Sequence, residues 1–321
     1  MHCYLGADIG GTNIVCGVVD GEGNLLAADK LPTEAAGGFA SVVGRLAEAA
    51  KRLLAALPQY TCVAAGVGVP GFVDHERGIV VKAVNLGWDD MPLADELGRQ
   101  LGVPVRINND VRMYIYGEAT AGAGRGRRFV LGVTLGTGIA AATVNEGRLH
   151  YGSGSRAGEL GHFGMPGIPY RCVCGLTGCL ETVASATGIA RQARDAIAAG
   201  ERTVLADWFP GERAAELTAA DVSRAFDAGD ETARRILRHT GTMLAQGLAP
   251  AISLISPDML VLGGGASKAG ERLFAPMREE LTRIVHPMFM SGLKIEVAKH
   301  LDDAGIIGSA LYAREQTAAG G

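Results

Sequence analysis

The chain has 321 residues, enough for about two domains. Its 30 basic and 34 acidic residues give a formal net charge of −4, which argues against a protein that binds nucleic acid or another polyanion. Hydrophobic residues make up 48% of the sequence, which excludes a largely disordered chain, and the 47 glycines follow no collagen-like period.

Hydrophobic periodicity predicts strands that alternate with helices, which is typical of an α/β fold. The predicted strands cover residues 4–19, with a break at Gly10 and Gly11, and residues 62–69, 103–107, 129–144, 259–262 and 293–297. The predicted helices cover residues 40–57, 89–101 and 111–121, and most of the chain from residue 187.

The N-terminus and the cysteines indicate a compartment. No basic region precedes the first apolar stretch, which ends at Asp8, and no apolar run reaches the ~20 residues of a membrane span, so we expect neither a signal peptide nor a membrane partner. Three of the six cysteines fall within residues 172–179. This spacing favours a metal cluster over a disulfide framework and predicts a cytoplasmic protein.

A shift of 126 residues aligns residues 5–21 with residues 131–147, and both segments are Gly-rich hairpins. The chain contains a duplicated domain, or else the two hairpins are alike only because such turns are common. In a duplicated domain each copy would present its turn to one ligand. Phosphate oxygens suit such turns, because glycines let backbone N–H groups approach them.

The first turn combines a carboxylate, two glycines, a hydroxyl and an amide, which are the groups that a nucleotide phosphate with Mg²⁺ requires. We predict nucleotide binding at this turn, at its copy and at a third glycine run, residues 263–265. The alternative for the third run is that it only connects a strand to a helix. The predicted nucleotide residues are Asp8, Gly10, Gly11, Thr12, Asn13, Gly136, Thr137, Gly138, Gly264 and Gly265. A dinucleotide-like pattern at residues 66–71 is accidental, because an extended segment follows Pro70 where a helix is needed.

Asp110 follows the predicted strand 103–107 and opens the next helix. An aspartate at that place is a common N-cap, and the carboxyl end of a parallel strand is also where α/β proteins place a general base. Both roles are compatible with the sequence.

A second cluster of chemical groups follows residue 158. His162 and the cysteines Cys172, Cys174 and Cys179 form a Cys₃His set, which predicts a structural zinc site with no open position. The metal would hold Glu159 and Glu181 next to each other, and paired carboxylates bind the hydroxyls of a polyol well.

These residues resemble the ROK family (repressor, open reading frame, kinase) of sugar kinases over nearly the whole chain. The resemblance rests on the segments DIGGTN (8–13), GVPG (68–71), NLGW (85–88), NND (108–110), LGTG (135–138), GELGH (158–162) and CVCGLTGCLE (172–181), and ETVASATG (181–188) is most similar to the bacterial glucokinase branch. It implies an actin/hexokinase-like (ribonuclease H-like) α/β ATPase fold of two domains with a cleft between them. We expect an N-terminal domain at residues 1–118, with a C-terminal helix at about 305–321 packing back on it, and a C-terminal domain at 119–304 that carries the zinc knuckle.

The resemblance also implies roles for single residues. Asp110 matches the catalytic base. The positions matched to sugar hydroxyls are Gly71, Asn85, Asn109, Glu159, His162 and Glu181, with His162 also on zinc. The positions matched to ATP and Mg²⁺ include Asp8, Gly11, Thr12 and Thr137. Residues 139–142 depart from the family, because Ile-Ala-Ala-Ala stands where glycines are usual and the methyl groups would narrow the approach of ATP or alter the packing of the strand.

We therefore expect an ATP-dependent kinase that acts on the 6-hydroxyl of a hexose, with glucose favoured, in a homodimer or homotetramer. Kinases for N-acetylmannosamine, N-acetylglucosamine, mannose or fructose are the alternatives within this class. A sugar-sensing repressor of the family needs a DNA-binding module before the first strand, which begins by Tyr4, so we expect no nucleic-acid partner. Asp110 argues against a noncatalytic sugar-binding module.

Overall fold

The computed structural model describes residues 1–318, which form two compact units. The first unit contains Met1–Arg128, Ala142–Ala157 and the segment that starts at Ala298. The second unit contains Phe129–Ala141 and Gly158–Val297. The predicted C-terminal helix falls partly on residues 319–321, which lie outside the described residues.

The strands are short and mostly buried. They are β1 (His2–Ile9), β2 (Asn13–Asp20), β3 (Leu25–Pro32), β4 (Thr61–Val69), β5 (Phe72–Asp74), β6 (Ile79–Ala83), β7 (Trp88–Met91), β8 (Val105–Asn109), β9 (Phe129–Leu135), β10 (Ile139–Asn145), β11 (Arg148–Leu149), β12 (Met259–Gly263) and β13 (Lys294–Val297). Among the described residues they form two five-stranded sheets and one three-stranded sheet, β5-β6-β7.

The helices are concentrated in the second half of the chain. They are α1 (Gly38–Ala55), α2 (Leu93–Leu101), α3 (Asp110–Thr120), α4 (Glu181–Ala184), α5 (Ala186–Ala198), α6 (Val204–Trp208), α7 (Ala219–Asp227), α8 (Glu231–Ile255), α9 (Glu271–Ile284), α10 (Pro287–Met290) and α11 (Ala304–Ala318). In the part of the chain that the structure describes, no helix is long and apolar enough to cross a bilayer.

The predicted helix at 89–101 begins four residues later, at Leu93, so this prediction is wrong at its N-terminal end. Residues 88–91 form β7 instead, which pairs antiparallel with β6 and buries Trp88. Pro92 lies directly before the helix, where a residue without a backbone N–H is tolerated.

The two five-stranded sheets have the same strand order. The first is β3-β2-β1-β4-β8, with β2 and β3 antiparallel to their neighbours and β4 and β8 parallel. The second is β11-β10-β9-β12-β13, with β12 parallel to both β9 and β13. The hairpins that the sequence shift aligned therefore hold the same place in two equivalent sheets, which is more than a likeness between two turns.

The helix α11 packs on the first sheet at very close range. A Cβ atom added to Gly6 on β1 would lie 1.8 Å from the carbonyl oxygen of Ile306, and one on Gly66 of β4 would lie 1.8 Å from that of Ser309. Gly308 makes a similar approach to the carbonyl of Met113 on α3. Gly6 and Gly66 thus let α11 approach the sheet backbone to backbone, and Gly308 lets it approach α3 in the same way.

This packing makes a prediction about stability. Gly6→Ala should lower the free energy of unfolding by about 2–3 kcal/mol, because the added methyl group overlaps the backbone of a helix and not a flexible side chain. Gly21→Ala is the matched control, since nothing lies within 4 Å of a Cβ atom there. Urea unfolding would measure both, and equal stability of the two variants would contradict the close packing of α11.

Candidate active site

The first Gly-rich turn joins β1 to β2 and is closed by its own backbone and by one threonine. Gly10 N–H donates to the Asn13 carbonyl at 2.8 Å. The buried Thr33 donates its hydroxyl to the Gly10 carbonyl at 2.6 Å and its N–H to the Thr12 carbonyl at 2.8 Å. Sequence reasoning missed Thr33, because only the antiparallel pairing of β2 with β3 brings it to this turn.

Asp8 lies at the start of this turn as a half-buried carboxylate. Burial, and next the charge of Asp110, raise the pKa of Asp8 to about 7. Among the described residues no hydrogen-bond donor serves this carboxylate. An oxygen ligand without a donor fits a hard cation such as Mg²⁺, whose charge favours the ionised form.

The second Gly-rich turn joins β9 to β10 and is held in a related way. Gly136 N–H donates to the Gly138 carbonyl at 3.0 Å, and the hydroxyl of Thr187 donates to the Thr137 carbonyl at 2.6 Å. The N–H of Ala186, at the start of α5, donates to the Gly136 carbonyl at 2.9 Å. Each turn is thus held by a threonine hydroxyl from outside the hairpin, while Thr12 and Thr137 at the two turns are exposed.

The third glycine run follows β12. Gly264 has a φ of +81°, and a Cβ atom there would lie 2.7 Å from the carbonyl oxygen of Leu135, the last residue of β9. Nothing lies within 4 Å of a Cβ atom on Gly265, so this glycine faces open space. Gly264 therefore has a packing role, and contact of either glycine with a nucleotide stays a prediction.

The unusual residues 139–142 mostly join the protein core. Ile139 and Ala141 are buried in the hydrophobic core of the second unit. Their side chains pack against protein, which favours an effect on the packing of the strand over a narrower approach of ATP.

Asn109 organises the start of α3. Its Oδ1 atom accepts from the N–H groups of Val111 at 3.1 Å and Arg112 at 3.3 Å, so Asn109 is the N-cap and the prediction that Asp110 is the N-cap is wrong. Asp110 is the first helical residue, because the strand–helix break falls one residue earlier than expected. Asn109 Nδ2 donates to the Gly71 carbonyl at 3.2 Å, which brings two predicted sugar residues together.

Asp110 lies half-buried beside this cap and accepts from the Val111 N–H at 2.9 Å. Burial raises the pKa of Asp110, which makes its carboxylate a stronger base.

Asn85, predicted on the sugar side, lies next to the first Gly-rich turn. A Cβ atom added to Gly11 would lie 3.4 Å from the Cβ atom of Asn85.

The predicted zinc ligands converge. The ligand atoms of His162, Cys172, Cys174 and Cys179 all lie within 4.8 Å of one another. The Sγ atoms of Cys174 and Cys179 are 3.6 Å apart, and His162 Nδ1 is 3.7 Å from Cys172 Sγ. A tetrahedral zinc site with ordinary bond lengths places its ligand atoms about 3.5–3.8 Å apart, so this set fits zinc.

Two carboxylates flank the cluster. His162 Nδ1, the nitrogen that faces the thiols, is also 3.6 Å from Glu181 Oε1, while Nε2 lies 3.9 Å from Glu159 Oε2. Cys172 Sγ lies 2.9 Å from the same Glu181 oxygen, and burial together with that carboxylate raises the pKa of the thiol. The cluster therefore places both predicted sugar carboxylates at one imidazole.

Glu181 also contacts the second Gly-rich turn. Its Oε2 atom accepts from Ile139 N–H at 3.5 Å, and a Cβ atom on Gly138 would lie 2.6 Å from it. Gly138 was predicted to bind nucleotide. The structure adds a packing requirement for glycine at this position, because a side chain there would displace Glu181.

Comparison with known proteins agrees with this fold. A family model described as "ROK family" matches residues 4–316. A glucokinase of Halalkalibacterium halodurans is 35% identical over 318 residues, which is 98% of this chain and 95% of that protein. The structure of a ROK hexokinase from Thermus thermophilus matches with a TM-score of 0.82 and 30% identity over 99% of both chains. A ROK family glucokinase from Streptomyces griseus, in complex with glucose and AMPPNP, matches with a TM-score of 0.79 and 31% identity over 98% of this chain and 99% of that one.

The repeated sheet order and these similarities define the class: this is a two-domain α/β protein with the actin/hexokinase-like fold. Within that class the chain belongs to the ROK family. The fold and the family expected from the sequence are therefore confirmed.

The metal cluster gives a testable expectation. Purified protein should carry about one zinc per chain, and Cys174→Ser should lose it, with a lower Tm, because metal binding is coupled to local folding. Cys62→Ser is the control, since this cysteine lies on β4 outside the cluster. Elemental analysis would measure both, and a Cys174→Ser protein with full zinc content would contradict the ligand set.

The raised pKa of Asp8 predicts a pH dependence of stability. The carboxyl titrates near pH 7 in the folded chain and near 3.9 when unfolded, so the folded state binds the proton more tightly. Stability is therefore lost as the pH rises from about 4 to 7. In Mg²⁺-free buffer the wild type should lose about 2–3 kcal/mol more of its unfolding free energy between pH 5 and pH 8 than Asp8→Asn does. Urea unfolding at both pH values would measure the change in unfolding free energy for each protein. The same change in the wild type and in Asp8→Asn would show that the pKa of this carboxyl is not raised.

Proposed function

We propose that this protein is an ATP-dependent hexose kinase that transfers the γ-phosphoryl group to the 6-hydroxyl of glucose. One observation carries the proposal: Asp110, with its pKa raised by burial, stands beside an asparagine whose amide reaches Gly71. The relatives that match nearly the whole chain, among them a glucokinase and a structure with glucose and AMPPNP, support glucose as the substrate.

In this proposal Asp110 accepts the proton of the sugar hydroxyl as its oxygen attacks the γ-phosphorus in line. Asn109 and the backbone at Gly71 orient the sugar next to the base. Glu159, His162 and Glu181 accept and donate hydrogen bonds to other hydroxyls, with His162 Nε2 left available because Nδ1 faces the thiols. Asn85 completes the sugar contacts.

The two Gly-rich turns serve the nucleotide. Gly10, Gly11, Thr12 and Asn13 offer backbone and side-chain donors to phosphate oxygens, and Gly136, Thr137 and Gly138 do the same from the second turn, with Gly264 and Gly265 beside them. Mg²⁺, when bound with ATP near Asp8, supplies charge neutralisation at the phosphates.

Zinc has a structural role in this proposal. His162, Cys172, Cys174 and Cys179 fill a tetrahedral shell and leave no position for a reactive water. The structure describes all six cysteines, none of them in a disulfide, and three of them cluster as predicted metal ligands, which supports the reducing cytoplasm as the compartment. That this protein forms a homodimer or a homotetramer stays a prediction.

A coupled assay of the purified protein with ATP and a panel of hexoses tests the function. The panel should contain glucose, mannose, fructose, N-acetylglucosamine and N-acetylmannosamine. Glucose should have the highest kcat/KM. A higher value for an N-acetylated sugar would transfer the assignment to that substrate, and no turnover of any sugar would overturn the kinase proposal.

Asp110→Asn tests the base. The substitution should lower kcat by about 10²–10⁴-fold while the fold is kept, because the amide cannot accept the proton. Asp89→Asn is the matched control, because Asp89 is an exposed carboxylate on β7 that pairs with Lys82. Steady-state kinetics and circular dichroism would measure both, and more than half of the wild-type kcat in Asp110→Asn would remove Asp110 from this role.

A further inference from the structure

Tyr151 lies 41 positions beyond Asp110, yet it contacts the turn that carries the base. Asn108 Nδ2 donates to the Tyr151 hydroxyl at 2.9 Å, and Asn108 Oδ1 accepts from the N–H of Asn109 at 2.9 Å. Both polar ends of the Asn108 amide are therefore engaged, one by the residue before the base and one by this tyrosine. Asn108 is fully buried, so water cannot replace a lost partner.

Tyr151 is itself held on several sides. Its ring stacks on the His75 imidazole with centroids 3.9 Å apart and planes 10° from parallel. The guanidinium carbon of Arg112 lies 5.4 Å from the ring centroid. The Tyr151 hydroxyl donates to the hydroxyl of the buried Tyr312 at 3.1 Å. A phenol with this many contacts has little rotational freedom, so its oxygen is a fixed acceptor for Asn108.

Arg112 ties the segment around Tyr151 to the helix that Asp110 opens. Its Nη2 atom donates to the carbonyl of Ser155 at 2.6 Å and to that of Ala157 at 3.2 Å. Ser155 has a φ of +56°, a conformation that a residue with a side chain adopts at a cost. The charge-assisted bond to its carbonyl offsets part of that cost and keeps the segment in place.

We propose that Tyr151 is a positioning residue for the reaction: through Asn108 it fixes the backbone of Asn109 and Asp110. The proposal rests on the function proposed above, in which Asp110 is the base. Tyr151 does not touch substrate in this account. Its hydroxyl acts by keeping the Asn108 amide in one orientation, so that the strand–helix turn presents Asp110 at a constant place. A small displacement of a catalytic group is costly, because proton transfer requires the reacting atoms to be aligned.

The test uses two single-atom deletions in one hydroxyl pair. Tyr151→Phe removes the acceptor of Asn108 and keeps the aromatic ring against His75. Tyr312→Phe removes the other hydroxyl of the pair and leaves the bond from Asn108 to Tyr151 intact. Each variant loses one phenol oxygen and keeps its aromatic ring. Tyr312 is the more buried of the two residues, so a general loss of packing would affect Tyr312→Phe at least as much.

We expect Tyr151→Phe to lower kcat for glucose by about 5- to 20-fold with little change in the KM for ATP, and Tyr312→Phe to stay within about twofold of wild type. Hydrogen–deuterium exchange should show faster exchange at residues 105–115 in Tyr151→Phe only. Asn108→Ala removes the same bond from its other end. Adding Tyr151→Phe to it should therefore lower kcat no further.

Three results would overturn the inference: more than half of the wild-type kcat in Tyr151→Phe, equal losses in the two phenylalanine variants, or full additivity with Asn108→Ala. A wild-type protein that phosphorylates no sugar would instead overturn the proposed function. The exchange data would then decide the link from Tyr151 to the turn by themselves, and equal exchange in the two phenylalanine variants would refute it.

Discussion

The amide of the Asn109 side chain makes two sets of hydrogen bonds, and the placement of Asp110 depends on both. Its oxygen accepts the first free N–H groups of α3, and its nitrogen reaches the Gly71 carbonyl. A planar amide with its two ends committed fixes where β8 stops and where α3 starts. Asp110 is the next residue, so its place follows from the cap. An aspartate at the capping position would keep the first task and lose the second, because a carboxylate has no donor for a carbonyl.

In the second unit, contacts with the predicted metal ligands likewise place neighbouring side chains. The ligand atoms of three thiols and an imidazole lie within 4.8 Å of one another, and the other imidazole nitrogen faces Glu159. Glu181 is reached by the imidazole, a thiol and the N–H of Ile139, and it leaves no room for a side chain on Gly138. Residues predicted to bind metal thus contact two acids, and one of these acids, Glu181, approaches a glycine. With zinc bound, the four predicted ligands would complete its coordination, so the cluster would act by positioning these acids.

The two Gly-rich turns are stabilised in the same way, in each case by a residue that lies outside the sequence motif. In each turn the glycines leave backbone groups accessible, and a threonine hydroxyl from outside the hairpin satisfies one turn carbonyl. Glycine lets a ligand approach the backbone of the turn closely, but it also makes that backbone flexible. The flexibility must be restricted if the N–H donors are to be preorganised for phosphate. Thr33 and Thr187 provide that restriction from different elements, the end of β3 and the start of α5.

The sequence by itself determined the α/β class, the duplicated hairpin and the family, and it predicted the metal ligands and the candidate base. These conclusions rest on local signals: strand and helix periods, glycine runs, and ligands within 18 residues of each other. Local signals were weaker at boundaries, as at 89–92, where pairing with β6 outweighed a helical pattern. The N-cap was also misplaced by one residue, because Asn109 and Asp110 are both good caps and only the reach to Gly71 distinguishes them.

The tertiary structure alone decided which distant residues support the site. Thr33 reaches Gly10 across a strand pair, and Tyr151 reaches Asn108 across 43 positions of sequence. A buried hydrogen bond between such residues leaves no spacing rule in the sequence, since its partners are chosen by the path of the folded backbone. The same holds for Gly6 and Gly66, which look like ordinary strand glycines until α11 lies against them. Local periodicity specifies elements, whereas contacts between elements depend on their packing, and that is why the supporting residues appear only in the folded chain.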